Sequence, residues 1–311
     1  MTADCALVFP GQGSQYPGMG KDLYAAFDEA RQTFEQASEA LGRDMAALCF
    51  DGTPEELDST INTQTAVFTV DMAAFRVFER YSSVSPIAAA GHSLGEYAAL
   101  TAAGAFPFPD MLRLVKARAT YMHEAVPEGS GAMAAIMNLD GSTLDRICRE
   151  SNRDGEIVAA ANFNGPSQLV VSGTTAAVDD VIRRAQAEGG RGRRLSVSVP
   201  CHCGLLDEAS RRLDDTLSTV SFENCTIPVI PNCDPTLTHN RESTRSLLVR
   251  QLTDPVRWQE TIERMEGAGV TTIVELGPKK TLSGLIKRIV PGIRLFNIED
   301  RRSLEETLAG L

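Results

Sequence analysis

The chain has 311 residues, of which 43% are hydrophobic and 23% charged, the balance of a soluble globular protein with room for one large domain or two ordinary ones. Its net charge of −11 argues against wholesale binding to nucleic acid or to an acidic membrane, so an acidic partner would need a local basic patch. The seven cysteines are odd in number and scattered through apparent core segments, which predicts reduced thiols in a cytoplasm. Cys201-x-Cys203 is too tight for a usual zinc pair and has no second pair of matching spacing, so no metal is expected. The first residues run into a strand without a basic region followed by an apolar run, and no apolar stretch reaches membrane-spanning length.

Taken in order, Cys5 to Phe9 is a continuous apolar run, the pattern of a buried parallel strand. The Gly-rich loop Pro10 to Gln15 follows it. No Gly-Lys-Ser/Thr comes after, so a backbone N–H donor near Gln12 is a better reading than a phosphate loop. A helix is predicted from Lys21 to about Ala40, a helix start at Thr53-Pro54-Glu55-Glu56, and a further helix from Asn62 to Tyr81.

Next comes Pro86 to Leu100, which reads as a short buried strand, a tight turn and a helix of small residues. The turn is Gly91-His92-Ser93-Leu94-Gly95, a Gly-x-Ser-x-Gly pattern. In this context the pattern pushes a serine hydroxyl out on a sharp strand-to-helix turn. Ser93 then sits at a helix N-terminus, where free N–H groups and the dipole favour developing negative charge. In the helix Met111 to Met122, Arg118 falls within the apolar stripe of Met111, Leu114, Val115 and Met122. A guanidinium there is costly unless paired. The sequence leaves three options open: a structural ion pair, a snorkelling side chain, or a pocket arginine whose fork takes a substrate carboxylate.

From Gly131 to Val199 the predicted order is strand, helix, strand, strand, helix, strand, the last strand being Arg194 to Val199. That βαββαβ order is ferredoxin-like and predicts a small domain over 128–199, inserted into a large α/β domain formed by 1–127 and 200–311. Beyond it, a helix is predicted over Leu205 to Leu217 and a short strand over Ile227 to Ile230. The helices Ser243 to Leu252 and Val256 to Glu266 follow, then the strand Thr271 to Leu276, the helix Thr281 to Ile289 and the strand Arg294 to Ile298.

A serine nucleophile needs a base, usually histidine, and the chain has four. The ring of His92 should point away from its neighbour Ser93, His123 maps to the solvent side of its helix, and His239 lies in a polar loop. His202 closes the Val199-Pro200-Cys201 segment where the two domains rejoin, a usual place for a cleft. It is the candidate base, and no carboxylate is clearly placed to orient it.

Several ordered blocks now match one family. They are Phe9-Pro10-Gly11-Gln12-Gly13-Ser14-Gln15, Gly91-His92-Ser93-Leu94-Gly95-Glu96-Tyr97, Arg118 with Met122, Asn162-Phe163-Asn164-Gly165-Pro166-Ser167-Gln168, Val199-Pro200-Cys201-His202, Gln251 to Trp258, and Glu275-Leu276-Gly277-Pro278. On these the chain resembles the malonyl-CoA:acyl carrier protein transacylases of fatty-acid and polyketide synthesis. The resemblance implies an α/β-hydrolase-like large domain with a ferredoxin-like small domain, and ping-pong transfer through an acyl-serine. It implies Ser93 as nucleophile, His202 as base, and the amides of Gln12 and Leu94 as oxyanion hole. It further implies Arg118 as clamp for the malonyl carboxylate and the carbonyl of Gln251 as the group orienting His202. Met122, Gln168 and Cys201 would line the acyl pocket.

The substrates expected are malonyl-CoA and a phosphopantetheinylated acyl carrier protein, with no bound cofactor and a monomeric chain. Lys287 and Arg288, and secondarily Arg191, Arg193 and Arg194, are the candidate docking patch for the acidic carrier. The chain departs from the family at Cys201, where the stand-alone enzymes look to have Ser, and at Thr65, where Pro is frequent. Leu94 is similar to malonyl-selective members. A carrier-protein acyl hydrolase, or a transacylase for another extender unit, is the competing enzyme reading, and a non-catalytic carrier-binding module is a third. A buried Arg118 distinguishes the first, since a hydrolase of simple acyl chains gains nothing from it.

Overall fold

Strand β1 (Cys5–Phe9) is buried along its whole length because it lies inside a parallel sheet covered on both faces. Its side chains alternate between two cores. Cys5, Leu7 and Phe9 pack with Phe68, Leu100 and Val274 on one side, whereas Ala6 and Val8 pack with Trp258, Ile262 and Ile286 on the other. The computed structural model describes residues 4–153, 155–195 and 199–311. Among these, no helix is long and apolar enough to cross a membrane.

The remaining strands are β2 (Ala88–Gly91), β3 (Gly131–Met137), β4 (Val158–Gly165), β5 (Gln168–Thr174), β6 (Arg191–Arg194), β7 (Thr272–Leu276) and β8 (Arg294–Ile298). The fold is mixed α/β. One sheet, in the order β2-β1-β7-β8, has every neighbour pair parallel, and the other, in the order β4-β5-β3-β6, has every pair antiparallel. In the parallel sheet Phe9 is level with Gly91 and Val8 with Glu275. The loops after β1, β2 and β7 therefore emerge side by side at the carboxyl edge, where open α/β sheets bind ligands.

The antiparallel sheet lays one face on the helices Gly141–Ser151 and Thr175–Ala187, burying Ile136, Val171, Leu144, Ile147, Val178 and Val181. Its other face carries Met133, Ala161 and Val170 towards Cys201. The antiparallel sheet is tied to the segment just before the helix Trp258–Gly267, where Val256 donates to the Ala161 carbonyl at 2.8 Å and Phe163 donates to the Val256 carbonyl at 2.9 Å.

Several predicted elements change. The helix expected over Lys21 to Ala40 is two, Lys21–Ala26 and Asp28–Leu41, because Phe27 takes an extended conformation at φ −129° and packs its ring, tilted, against Tyr81. The helix Met45–Asp51, capped by the Asp44 side chain, was not foreseen. The start at Thr53 carries a full capping box with Glu56. Ile227 to Ile230 makes only a single bridge, Val229 to Ala89, since Pro228 and Pro231 have no N–H with which to extend a ladder. For the predicted strand Arg194 to Val199, residues 196–198 lie outside the described residues, and β6 ends at Arg194.

The helix Thr60–Tyr81 buries Asp71 with neither carboxylate oxygen hydrogen-bonded. Burial, and next the nearby Glu275, hold this carboxyl well above the usual carboxylate range. The folded chain keeps a proton that the unfolded chain releases above about pH 4, so Asp71 destabilises the fold increasingly as pH rises. Asp71→Ala is expected to stabilise the protein by roughly 1–3 kcal/mol at pH 8, the usual cost of a buried unpaired polar group. The gain should be smaller at pH 5. Thermal unfolding at the two pH values checks this, and a lower Tm for the variant at both would refute it.

Candidate active site

The turn after β2 bends only because two positions lack side chains. A Cβ on Gly91 would overlap the backbone of Gly95, and a Cβ on Gly95 would strike the Phe9 carbonyl. Ser93 between them adopts φ 52°, a left-handed conformation costly for a residue with a side chain. Asn232 supports the bend: its Oδ1 accepts from the Ser93 amide at 2.6 Å and its Nδ2 donates to the Gly91 carbonyl at 2.6 Å. The next amide, Leu94, begins the helix Gly95–Ala102. Among the described residues neither it nor the Gln12 amide donates a hydrogen bond within the protein.

His202 also has a positive φ, 59°, which swings its ring towards the turn. Its Nδ1 lies 2.7 Å from the Gln251 carbonyl and its Nε2 2.9 Å from Ser93 Oγ. A carbonyl can only accept, so Nδ1 carries the proton and Nε2 presents a lone pair to the serine hydroxyl. Burial, and next the Arg118 charge, push His202 down to about 3, so the ring is neutral and able to take a proton.

Arg118 reaches the same point from the helix Phe108–Ala125 and is 1% exposed. Its Nη1 donates to Gln64 Oε1 at 2.5 Å, and its Nη2 donates to Gln251 Oε1 at 3.1 Å and to Ser93 Oγ at 3.2 Å. The Tyr97 ring lies 5.2 Å from its Cζ. Among the described residues no carboxylate pairs with it within 4.0 Å, and its Nε has no partner. The guanidinium is therefore neither in an ion pair nor snorkelling. It is a buried cation with room for an anion beside a serine hydroxyl.

Gln12, Ser93, Leu94, Arg118, Met122, Gln168, Cys201 and His202 line one cleft of about 210 Å³ between the two sheets. Burial pushes the Cys201 thiol up to about 12, so it lines the cleft as a neutral group and not as a thiolate. Gln251 stands behind the cleft and touches His202 through its carbonyl and Arg118 through its side chain. Lys287 and Arg288 are exposed at the end of the helix Thr281–Ile289, and Arg288 Nη1 donates to Gln168 Oε1 at 2.6 Å. Arg191 and Arg193 are exposed on β6, whereas Arg194 is tied to Asp179 at 2.5 Å.

As expected, His92 turns its ring away from Ser93 Oγ, onto Asn164 at 2.8 Å and against Trp258, and it also borders the cleft. His239 lies in a loop among polar residues, as expected, but its ring is buried against Glu96 at 2.8 Å. His123 is exposed, as its helical phase predicts. Sequence reasoning also missed Gln64, Glu96 and Asn232 as supports of the site. Gln64 adjoins the noted Thr65, and Asn232 adjoins Pro231 at the end of a predicted strand, but neither position signals a partner by itself.

This arrangement can deprotonate a serine, stabilise an oxyanion with two amides and hold an anionic acyl group. The acyl transferase domain model matches residues 6–292. The malonyl CoA-acyl carrier protein transacylase of Escherichia coli (strain K12) is 44% identical over 286 residues, 92% of each chain. The chain belongs to the malonyl-CoA:acyl carrier protein transacylase family. The transacylase structure from Coxiella burnetii superposes with a TM-score of 0.97 at 41% identity, covering 99% of this chain and 98% of that one. A malonyl-transacylase solved in complex with its type II PKS acyl-carrier protein has a TM-score of 0.97 at 42% identity, covering 99% of this chain and all of its own. Members of this transacylase family are acyltransferases, and the likeness spans nearly the whole of each chain compared.

Proposed function

We propose that the chain moves a malonyl group from CoA to the phosphopantetheine thiol of an acyl carrier protein through an ester on Ser93. In the first half-reaction Ser93 Oγ attacks the thioester carbonyl carbon while its proton passes to His202 Nε2. The amides of Gln12 and Leu94 take the negative charge that develops on the carbonyl oxygen. The C–S bond then breaks, and the proton on His202 passes to the departing CoA sulfur. In the second half-reaction the carrier thiol gives its proton to His202 and its sulfur attacks the acyl-serine carbonyl carbon; the C–O bond to Ser93 then breaks, and the proton on His202 passes back to Ser93 Oγ. The chain's own groups supply each of these steps, so no cofactor is invoked, and one chain suffices as the working unit.

The observation that carries this reading is Arg118, a buried guanidinium with no carboxylate partner whose Nη2 lies 3.2 Å from Ser93 Oγ. The carboxylate of a malonyl group completes it. Burial is the main cause that holds His202 down, and pairing relieves only the second, the Arg118 charge, which favours a somewhat stronger base when the right acyl group is bound. Arg118→Ala is expected to lower the malonyl-to-acetyl ratio of acylation rates roughly 10- to 100-fold, the worth of a hydrogen bond to a charged group. Equal losses with malonyl-CoA and acetyl-CoA would make Arg118 structural.

Two finer readings belong with this proposal. The order β4-β5-β3-β6, with two helices on one face, supports a ferredoxin-like small domain over 128–199. The parallel sheet with its serine turn supports an α/β-hydrolase-like large domain formed by 1–127 and 200–311. A chain of charge −11 repels an acidic carrier overall, so Lys287 and Arg288 beside the cleft mouth supply the local attraction. Changing both to Glu should raise the KM for the carrier, most at low salt, while acylation by malonyl-CoA changes less. Equal damage to both half-reactions, or no salt dependence, would remove this patch from docking.

A further inference from the structure

Glu96 is a buried carboxylate that touches no group placed in the reaction above. Its side chain and that of His239 have no exposed surface. Glu96 Oε2 accepts from the Asn232 amide at 2.9 Å and from Gln251 Nε2 at 2.9 Å, and Oε1 accepts from His239 Nε2 at 2.8 Å. Every partner is an N–H donor, so the carboxylate acts only as an acceptor. His239 faces acceptors on both sides. Its Nδ1 lies 3.3 Å from Thr244 Oγ1, whose own proton goes to the Asn240 carbonyl at 2.7 Å.

The consequence falls on Gln251. Its amide could be turned either way, and the turn decides what Arg118 meets. With Nε2 towards Glu96 and the Ser93 carbonyl, Oε1 faces Arg118 Nη2. Turned over, the NH₂ would confront the guanidinium and the amide oxygen would confront both a carboxylate and the Ser93 carbonyl, leaving three repulsive pairs. We propose that the Glu96–His239 pair is a positioning device: it locks the Gln251 amide, and the locked amide aims the Arg118 fork beside Ser93 for a carboxylate-bearing acyl group. The inference rests on Arg118 being the acyl-carboxylate clamp.

The test is Glu96→Gln in the full chain, with Arg118→Ala alongside, measuring KM and kcat of acylation by malonyl-CoA and by acetyl-CoA together with Tm. Glutamine keeps the shape but offers donors of its own, so Gln251 loses its preferred turn. The expected result is a malonyl-CoA KM raised about tenfold, a smaller change in kcat, little change with acetyl-CoA, and hence a malonyl-to-acetyl ratio several-fold lower. His239→Leu should lower that ratio in the same direction, although His239 touches neither Ser93 nor Arg118. His239→Gln, which restores one N–H donor, should recover it. This second pair decides the matter if Glu96→Gln does not fold. If Arg118→Ala lowers the ratio but Glu96→Gln and His239→Leu leave it unchanged, or reduce both substrates equally, the positioning role is wrong. If Arg118→Ala itself leaves the ratio unchanged, the clamp reading fails first.

Discussion

Ser93→Ala is expected to leave no acyl-enzyme at all after mixing with malonyl-CoA, with intact-protein mass as the measurement. Ser93 Oγ is the atom that His202 Nε2 and Arg118 Nη2 both address, at 2.9 and 3.2 Å. The other candidate nucleophile in the cleft is Cys201, and burial, pushing its thiol up to about 12, denies it the thiolate it would need. Removing one hydroxyl leaves the turn intact, because Asn232 holds the Ser93 amide and Gln251 Nε2 holds its carbonyl. A malonyl mass retained by the variant would move the nucleophile elsewhere, and a malonylated Cys201 peptide would say where.

The second large effect is expected from His202→Ala, which should slow acylation roughly 10²- to 10⁴-fold, the usual worth of a positioned base. A loss of that size in His123→Ala instead would relocate the base. The same histidine has a signature in stability. Folded His202 stays neutral down to about 3, whereas an unfolded histidine takes a proton near 6.5. Between those values the unfolded chain binds the extra proton, so stability falls as pH falls through this window. Burial lowers His92 as well, and it acts in the same direction. From pH 6.5 to 4 the His202 contribution alone is on the order of 2–3 kcal/mol. The variant's Tm should therefore depend less steeply on pH than that of the parent. Parallel curves would mean that the ring is protonated in the folded chain.

What the sequence could determine was whatever local spacing controls. Continuous burial of β1 follows from five apolar residues in a row. The serine turn follows from Gly91 and Gly95, since any larger residue would overlap backbone. The place of Arg118 on a buried face follows from helical phase. Spacing tells which face a residue takes but not which distant residue it will meet. Hence the Arg118 alternatives stayed even on spacing alone, and only the packed chain shows a buried guanidinium with no carboxylate beside it. His239 read only as part of a polar loop because its neighbours are polar, but its partner Glu96 lies 143 residues away. Asn232 supports a serine 139 residues back, and the Gln251 side chain reaches a glutamate 155 residues back. Those contacts form where the carboxyl edge of the parallel sheet meets the returning chain. They exist because a buried polar group must find a partner in the folded core, wherever in the sequence that partner stands.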